Sequence, residues 1–152
     1  MKLERVLKMS KFKNENHKAE LNILYTAWWL KAQSGIELKK FGLTHEQYNV
    51  LRILKGKYPE QMCVKDIASR VIEKNSNVPR IVDRLVIKKL VKRSQSETDG
   101  RHTLIVITEA GLSILESATK RMDSVIDSHV NLGHKDATTL NTLLEKIREK
   151  EV

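Results

Sequence analysis

The sequence has little of what proteins use for cross-links and tight turns. Of its 152 residues only 1 is Cys, 2 are Pro and 6 are Gly, and aromatic residues make up 5%. A single Cys excludes an internal disulfide framework, and nothing in this usage points away from the cytoplasm. The scarcity of Gly and Pro favours long helices with few turns.

Long hydrophobic runs are absent as well. No apolar stretch approaches the roughly 20 residues that a membrane-spanning helix needs. The first ten residues are basic, but they lack the apolar stretch and the small-residue cleavage site of a secretion signal. Hydrophobic residues at 40% and charged residues at 31% exclude a disordered tail. We therefore expect one cytoplasmic domain, with or without helical extensions, that is not a membrane protein.

Acidic residues are outnumbered, and the imbalance is local. The chain has 28 Lys and Arg against 19 Asp and Glu, a formal charge of +9. Residues 70–101 hold nine basic and four acidic residues, whereas residues 102–134 hold two basic and four acidic ones. An anionic partner would suit such a segment, although charge alone does not separate DNA, RNA, an acidic membrane surface or a merely solvated basic face.

Both ends of the chain show helical periodicity. Residues 15–40 place apolar side chains on one helical face, and a second apolar stripe runs beside it. A helix that is apolar on two sides is buried on two sides, so we expect a partner chain against it. Two more helices are predicted after Thr108, which caps the first of them, and a break at 131–133 separates the two.

The middle of the chain predicts two short helices after a capped one. Thr44 and Gln47 have the spacing of a capping box and open the first helix. A 0, 3, 4, 7 apolar pattern predicts a short helix at 64–71 and another from about Asn77 to Lys89. Pro in the first turn of the latter is tolerated because N–H groups there have no intrahelical partner.

A β-hairpin is predicted directly after these helices. Residues 91–94 and 103–107 are rich in β-branched side chains, and the polar segment between them contains an Asp-Gly turn signal. Two helices joined by a short turn place the second helix for insertion into a DNA major groove, and the hairpin supplies a wing.

The second of these helices has a polar face that suits DNA. Asn77, Arg80 and Arg84 lie opposite its apolar stripe at spacings 0, 3 and 7. Arg can bind guanine bidentately, and Asn can bind adenine or a phosphate. The free N–H groups at the helix N-terminus also favour a phosphate. A polar face is normally only solvated, but this one lies in the basic third of the chain between a tight turn and a hairpin with its own Arg.

Residues 43–111 resemble the winged-helix core of the MarR family of bacterial transcription regulators. The matching stretches are Leu43–Leu51, Asp66–Arg70, Val82–Arg93, and Asp99-Gly100-Arg101 leading to Ile107–Gly111. The resemblance implies a mainly α, α+β winged helix-turn-helix protein with a β-hairpin wing and flanking helices that form a homodimer. Its expected domains are an N-terminal dimerisation helix at 1–42, a DNA-binding domain at 43–110 and C-terminal dimerisation helices at 111–152.

The resemblance also implies a function and a set of site residues. It implies a sequence-specific repressor that binds pseudo-palindromic double-stranded DNA and is released by a small aromatic or amphipathic effector. By matching position, Ser76, Asn77, Pro79 and Arg80 would face bases and phosphates, and Arg101 and Asp99 would belong to the wing. The full set of candidate DNA contacts is Lys65, Lys74, Asn75, Ser76, Asn77, Pro79, Arg80, Arg84, Asp99 and Arg101.

The wing and one helix position carry specific expectations. Arg101 would enter a minor groove, where negative potential is concentrated. Asp99 would orient Arg101 or brace the wing against Arg93 or Arg84. Pro79 stands where Ser or Thr is common in the family, and the wing is short and lacks a second Asp/Arg pair, so the half-site preference is open.

Five further residues, four aromatic and one Cys, can be interpreted either as structural or as functional. Four aromatic residues pack in the core or at the dimer interface, or they line an effector pocket between the dimer helices and the winged helix. They are Tyr25, Trp28, Trp29 and Tyr48. Cys63 is an inert small residue, or a thiol whose pKa is lowered by a helix start and Lys65.

Catalytic and metal sites are not expected. His129 and His134 have no carboxylate or thiol partners with which to bind a metal ion. The sequence also shows no arrangement of a nucleophile with a general base, and no Gly-rich phosphate-binding loop. We therefore expect that the protein binds no cofactor and no metal ion and that it is not an enzyme. The alternative function is a winged-helix module that binds RNA or another protein, which predicts a monomer.

Overall fold

A computed structural model describes residues 1–96 and 103–149. The chain divides into two compact units, Met1–Met122 and a second that begins at Asp123. None of the helices within the described residues is long and apolar enough to cross a membrane. The elements are α1 (Leu3–Leu7), α2 (Glu15–Lys39), α3 (His45–Lys55), β1 (Met62–Cys63), α4 (Val64–Arg70), α5 (Val78–Ile87), β2 (Val91–Gln95), β3 (Thr103–Ile107), α6 (Glu109–Val130) and α7 (His134–Arg148).

Helix α3 begins with the predicted capping box. The Thr44 hydroxyl accepts the Gln47 N–H at 3.2 Å, and the Gln47 side-chain oxygen accepts the Thr44 N–H at 3.3 Å. Gln47 is buried, and its oxygen also accepts from the Lys88 ammonium at 2.9 Å. The same ammonium donates to the carbonyl of Gly42, a residue that turns the chain at φ +66°. The end of α5 is therefore tied to the turn between α2 and α3.

Helix α5 begins at Val78, one residue after the predicted start, and Asn77 is its cap. The Asn77 side chain accepts the Arg80 N–H at 3.1 Å, and Pro79 lies in the first turn. Val78, Val82 and Leu85 are buried. The helix ends at Ile87, two residues before the predicted end, where the backbone turns through Lys89 at φ 59°.

The wing strands belong to a three-stranded antiparallel sheet of order β1-β3-β2. The hairpin register pairs Val91 with Ile107 and Gln95 with Thr103. Strand β1, only two residues long, pairs Met62 with Ile105 and was not predicted, because so short a segment shows no alternation of its own. Ile105 and Ile107 on the central strand are buried in the core.

The start of α6 is locked to the end of the α5 region. The Thr108 hydroxyl accepts the Gly111 N–H at 3.1 Å, which confirms the predicted cap, and donates to the Lys89 carbonyl at 2.8 Å. A Cβ on Gly111 would lie 2.2 Å from the Leu90 carbonyl oxygen. Only glycine therefore fits at this crossing.

One core fills the first unit. It combines the C-terminal end of α2, the buried faces of α3, α4 and α5, the sheet and the first half of α6. Tyr48 belongs to this core, and its hydroxyl donates to Thr119 on α6 at 3.2 Å. The largest fully buried side chains of this core include Leu38, Leu51, Leu54, Ile67, Leu85, Ile105 and Leu115.

Helix α2 is poorly covered within a single chain. Leu38 is its one buried residue, while Leu24 and Trp28 are each 61% exposed and Ile36 is 58% exposed. Much of the two apolar stripes that predict a helix buried on both sides is therefore left exposed by the described residues, with Leu21, Tyr25 and Leu30 half-buried.

The second unit shows the same feature by itself. Helix α7 has no buried residue along the whole of its length. Its apolar positions Leu140, Leu143 and Ile147 are exposed. These side chains follow the periodicity that predicts the helix, so its apolar face is uncovered by the described residues of the chain.

Helix α1 was not predicted from the sequence. It spans five residues and buries Leu3. The Glu4 carboxylate lies 2.7 Å from the Lys18 ammonium on α2. The hydrogen bond from Lys18 lowers the pKa of Glu4 below its usual value. The ion pair joins this short helix to the start of α2.

Candidate nucleic-acid interface

Helix α5 presents the predicted polar ridge to solvent. Asn77, Pro79, Arg80 and Arg84 are exposed, and the apolar stripe on the opposite face is buried in the core. The two guanidinium groups are one helical turn apart on the same side. A helix held in this way by its apolar stripe offers its basic face for contact with a ligand.

A groove of about 340 Å³ runs along the α3 side of this ridge. It brings together four of the predicted DNA-contact residues, Ser76, Asn77, Arg80 and Arg84, with the acidic residues Glu46 and Glu73. The Asn77 oxygen already serves as the cap of α5. Its NH₂ group remains a donor, which suits a phosphate oxygen better than bidentate pairing with adenine.

A second groove, of about 350 Å³, runs along the β-sheet side of α5. It brings Lys65 and Pro79, two more predicted contacts, to Thr103, where the strand returning from the wing begins. The wing therefore joins the sheet beside the N-terminal turn of α5. In a winged-helix protein this is where helix and wing approach the same duplex.

Arg93 has an ion-pair partner that the sequence analysis missed. Its guanidinium contacts the Asp83 carboxylate on α5. The expected partner, Asp99, and the predicted wing-tip residue Arg101 lie outside the described residues. Both members of the observed pair are largely exposed, so it stabilises the fold little and mainly orients the two side chains. Asp83 lies on the face of α5 toward the sheet, a relation that no local sequence pattern shows.

The turn between α4 and α5 holds the remaining predicted contacts. Lys74 and Asn75 are exposed in it. The Lys74 ammonium donates to the Ser69 carbonyl at 2.7 Å, so it also caps the end of α4. The Ser76 N–H donates to the Glu73 carbonyl at 3.0 Å. The turn is therefore ordered by its own hydrogen bonds before any ligand binds.

The four aromatic residues predicted for an effector pocket are not brought to one place. Tyr25 and Trp29 line a cavity of about 350 Å³ between α1 and α2. Trp28 lies on the exposed side of α2, with its ring centroid 5.5 Å from that of Tyr25. Tyr48 is a core residue of α3.

The lone thiol has a structural role. The Cys63 sulfur is the cap of α4 and accepts the Asp66 N–H at 3.4 Å. It lines the groove on the β-sheet side of α5 together with Lys65. Within residues 1–96 and 103–149, no three His, Cys, Asp or Glu side chains are grouped in a way that could hold a metal ion.

The fold and this basic face define the chain as a winged helix-turn-helix transcription regulator of the MarR type, which confirms the resemblance and the fold class inferred from sequence. The family model described as transcriptional regulator SarA/Rot matches residues 33–118. The chain belongs to this SarA/Rot family of transcriptional regulators. The family and the relatives are regulators and not enzymes.

Individual relatives agree with this assignment. The HTH-type transcriptional regulator MgrA of Staphylococcus aureus is 29% identical over 109 residues, which cover 72% of each chain. The structure of AbsC, a MarR family regulator from Streptomyces coelicolor, superposes with a TM-score of 0.81 at 25% identity, covering 92% of this chain and 97% of AbsC. A mutant MarR from E. coli complexed with operator DNA has a TM-score of 0.79 at 22% identity, covering 91% and 99%.

Proposed function

We propose that this regulator binds double-stranded DNA in a sequence-specific manner through α5. The exposed Arg80 and Arg84 ridge carries the proposal, because it stands between two grooves at the surface of a winged helix. The E. coli MarR that shares this fold is complexed with operator DNA. A regulator of this class acts at the chromosome, so the proposal includes the bacterial cytoplasm.

Each predicted contact has a role in this proposal. Arg80 and Arg84 bind base edges in the major groove, with guanine as the preferred partner. Ser76 and the Asn77 NH₂ group bind phosphates at the N-terminus of α5. Lys65, Lys74 and Asn75 neutralise or bind the phosphate backbone on either side. Pro79 packs against the duplex without donating, Arg101 enters the minor groove, and Asp99 orients it.

We propose further that the regulator is a homodimer. The apolar side chains of Leu24, Trp28 and Ile36 on α2 are exposed in the single chain, and α7 buries none of its residues. Exposed apolar surface of this extent marks an interaction site. A two-fold dimer carries two α5 helices, so its DNA site is pseudo-palindromic. In this proposal residues 1–42 and 111–152 contain the dimerisation helices and residues 43–110 the DNA-binding domain, and the end of α2 and the first half of α6 also pack into the core of the winged helix.

The proposed regulator is a repressor that a small molecule releases from DNA. The cavity that Tyr25 and Trp29 line also contains Leu3, Val6 and the polar side chains of Asn22 and Thr26. Met1 lines it as well, and none of its lining residues in the described part of the chain has a charged side chain. It would take a small, uncharged aromatic molecule with a hydrogen-bonding group. Trp28 and Tyr48 would act only indirectly, through dimer contacts and the core.

Selection of bound duplexes from a pool of random DNA tests the proposed function. Enrichment of an inverted repeat, bound by two chains per duplex in analytical ultracentrifugation, is the expected result. The alternative, a winged-helix module that binds RNA or protein, predicts a monomer and no enriched duplex motif. That outcome would exclude the proposed function.

The effector proposal is tested separately by fluorescence. In a Trp28→Phe variant the remaining indole belongs to Trp29, so quenching on addition of uncharged phenolic compounds reports on the α1–α2 cavity. The expected compound quenches Trp29 and also weakens duplex binding. Quenching that leaves duplex affinity unchanged would separate the cavity from regulation.

A further inference from the structure

An ion-pair cluster joins the long helix α2 to the turn that precedes α5. The Lys31 ammonium on α2 lies 2.5 Å from a Glu73 carboxylate oxygen and 3.1 Å from a Glu46 carboxylate oxygen. Glu46 is in the first turn of α3, and Glu73 is in the turn between α4 and α5. One ammonium group therefore connects three parts of the chain that are distant in sequence.

The two carboxylates stand beside the surface proposed to contact DNA. Glu46 and Glu73 line the same groove as Asn77, Arg80 and Arg84. Unpaired carboxylates at this position would repel phosphates that lie within a Debye length of about 10 Å. Lys31 extends from α2 to the two carboxylates, and its positive charge offsets part of that repulsion.

The protonation states agree with this pairing. The hydrogen bond to Glu73 raises the pKa of Lys31 above its usual value, against the opposing effect of burial. Partial burial raises the pKa of Glu46, but hydrogen bonds from its own backbone, Lys31 and Thr44 outweigh this effect and lower it. Lys31 and Glu46 are therefore both charged near neutral pH.

Glu73 is also joined to the start of α5 by a backbone hydrogen bond. Its carbonyl accepts the Ser76 N–H at 3.0 Å, and Ser76 directly precedes the Asn77 cap. On the other side of the turn, the Lys74 ammonium holds the Ser69 carbonyl at the end of α4. The Lys31–Glu73 pair links this ordered turn to α2, so it bears on where α5 begins.

We propose that Lys31 is a positioning residue for DNA binding, which holds the turn before α5 through Glu73 and neutralises the carboxylates at the edge of the DNA-binding surface. Lys31 acts through Glu73 and does not itself contact a phosphate. The proposal rests on the proposed function, since it concerns affinity for a duplex. Its two effects, on the turn and on charge, are separable by experiment.

Duplex affinity of four variants tests the coupling. Lys31→Met is expected to weaken binding to a selected duplex by about 5- to 20-fold, which lies within the coupling energies of residues in one ion-pair network. Lys31→Arg, which keeps a cation in reach of both carboxylates, is expected to stay within about 2-fold of the wild type. In a Glu73→Gln background, Lys31→Met is expected to cost less than about 3-fold. An equal loss in both backgrounds would overturn the proposal.

A matched control and a salt titration separate positioning from a direct contact. Lys39→Met removes the same charge from the same helix and is expected to change affinity by less than about 2-fold. Loss of a phosphate contact lowers the slope of log affinity against log salt by about 0.9. The expected decrease for Lys31→Met is below about 0.4, because its charge acts through screened repulsion and not through a phosphate contact. A decrease near 0.9 would make Lys31 a phosphate contact and refute the proposal.

Amide hydrogen exchange in the protein without DNA tests the turn independently of the proposed function. Faster exchange of residues 72–77 in Lys31→Met, with unchanged exchange in the core of α3, is the expected result. Unchanged exchange in the turn would contradict the positioning role. If the wild type binds no duplex but the turn is loosened, the proposed function fails while the link between Lys31 and the turn stands.

Discussion

At the scale of single residues, α5 turns one apolar stripe to the core and its basic side chains to solvent. Val78, Val82 and Leu85 hold the helix in place, and this leaves Arg80 and Arg84 exposed on the opposite face. Asn77 is different, because its oxygen is committed to the helix cap. The polar ridge therefore has two groups suited to base edges and one suited to a phosphate.

Arg84→Ala is expected to weaken binding to a selected duplex by about 1–3 kcal/mol per half-site, because it removes a guanidinium that binds a base edge. Equilibrium titration of the duplex by fluorescence anisotropy measures the change. Lys120→Ala, on the exposed surface of α6, is the matched loss of a positive charge and is expected to have little effect. Similar losses in both variants would mean that only net charge matters.

Gly111 offers a second prediction at this scale. Gly111→Ala is expected to destabilise the protein by about 1–3 kcal/mol, since its Cβ would overlap the Leu90 carbonyl oxygen 2.2 Å away. Chemical denaturation measures the free energy of unfolding. Gly35→Ala has nothing within 4 Å of its Cβ and lies inside α2. It is expected to stabilise by about 0.5–1 kcal/mol, and equal effects of both substitutions would contradict this account.

At the scale of elements, local patterns predicted the helices from α2 onward and the wing hairpin, whereas α1, strand β1 and the side-chain pairs between elements were not predicted. The Thr44 capping box and Pro79 in the first turn of α5 are visible in the sequence, and both helices form as expected. Strand β1 exists only because β3 pairs with it from some forty residues away. The Arg93–Asp83 pair likewise depends on the packing of α5 against the sheet. Neither could be inferred from periodicity.

The aromatic residues show the same limit for the candidate site. Adjacent Trp28 and Trp29 must point in different directions on a helix, which the sequence shows. Which of them meets a cavity depends on α1, and α1 is too short for a periodic signal. Tyr48 follows the apolar face of α3, so periodicity favours the core position that the structure has.

The link between α2 and α6 yields a pH prediction. The Glu37 carboxylate binds Arg121 at 2.6 Å and Lys40 at 2.8 Å, and the hydrogen bond from Arg121 is the main reason that the pKa of Glu37 falls to about 2. A lowered pKa stabilises the folded state above the unfolded value of 4.5, and this contribution is lost as the pH falls toward 2.

Glu37→Gln is therefore expected to unfold more readily than the wild type at pH 6, with a difference that shrinks as the pH falls from 4.5 toward 2. Thermal unfolding at a series of pH values measures this difference. Glu20→Gln, at an exposed position of α2, serves as the control. A difference that is constant over this pH range would show that the carboxylate charge is not responsible.

At the scale of the whole molecule, a single chain leaves much apolar surface uncovered. Leu24 and Trp28 project from the middle of α2, and α7 has no buried residue. The basic face of α5 is by contrast complete within one chain. The winged helix is thus packed within one chain, and in the proposed dimer a second copy would cover the flanking helices.

Trp28→Glu is expected to shift the proposed dimer toward monomer, because it places a charge on an apolar surface that the partner would cover. Sedimentation velocity at micromolar concentration measures the change. Ile87→Glu places the same charge at another highly exposed apolar residue, at the end of α5, and is expected to leave the dimer intact. Dissociation by both variants, or by neither, would contradict the proposed interface.

The most direct test of the central claim is to select duplexes from random DNA with the wild type and with Arg80→Ala in parallel. If α5 binds base edges, the wild type enriches an inverted repeat. Arg80→Ala then enriches the same repeat with one position in each half-site relaxed to any base. An identical motif from both proteins, or no motif from the wild type, would contradict the claim that this helix recognises DNA sequence.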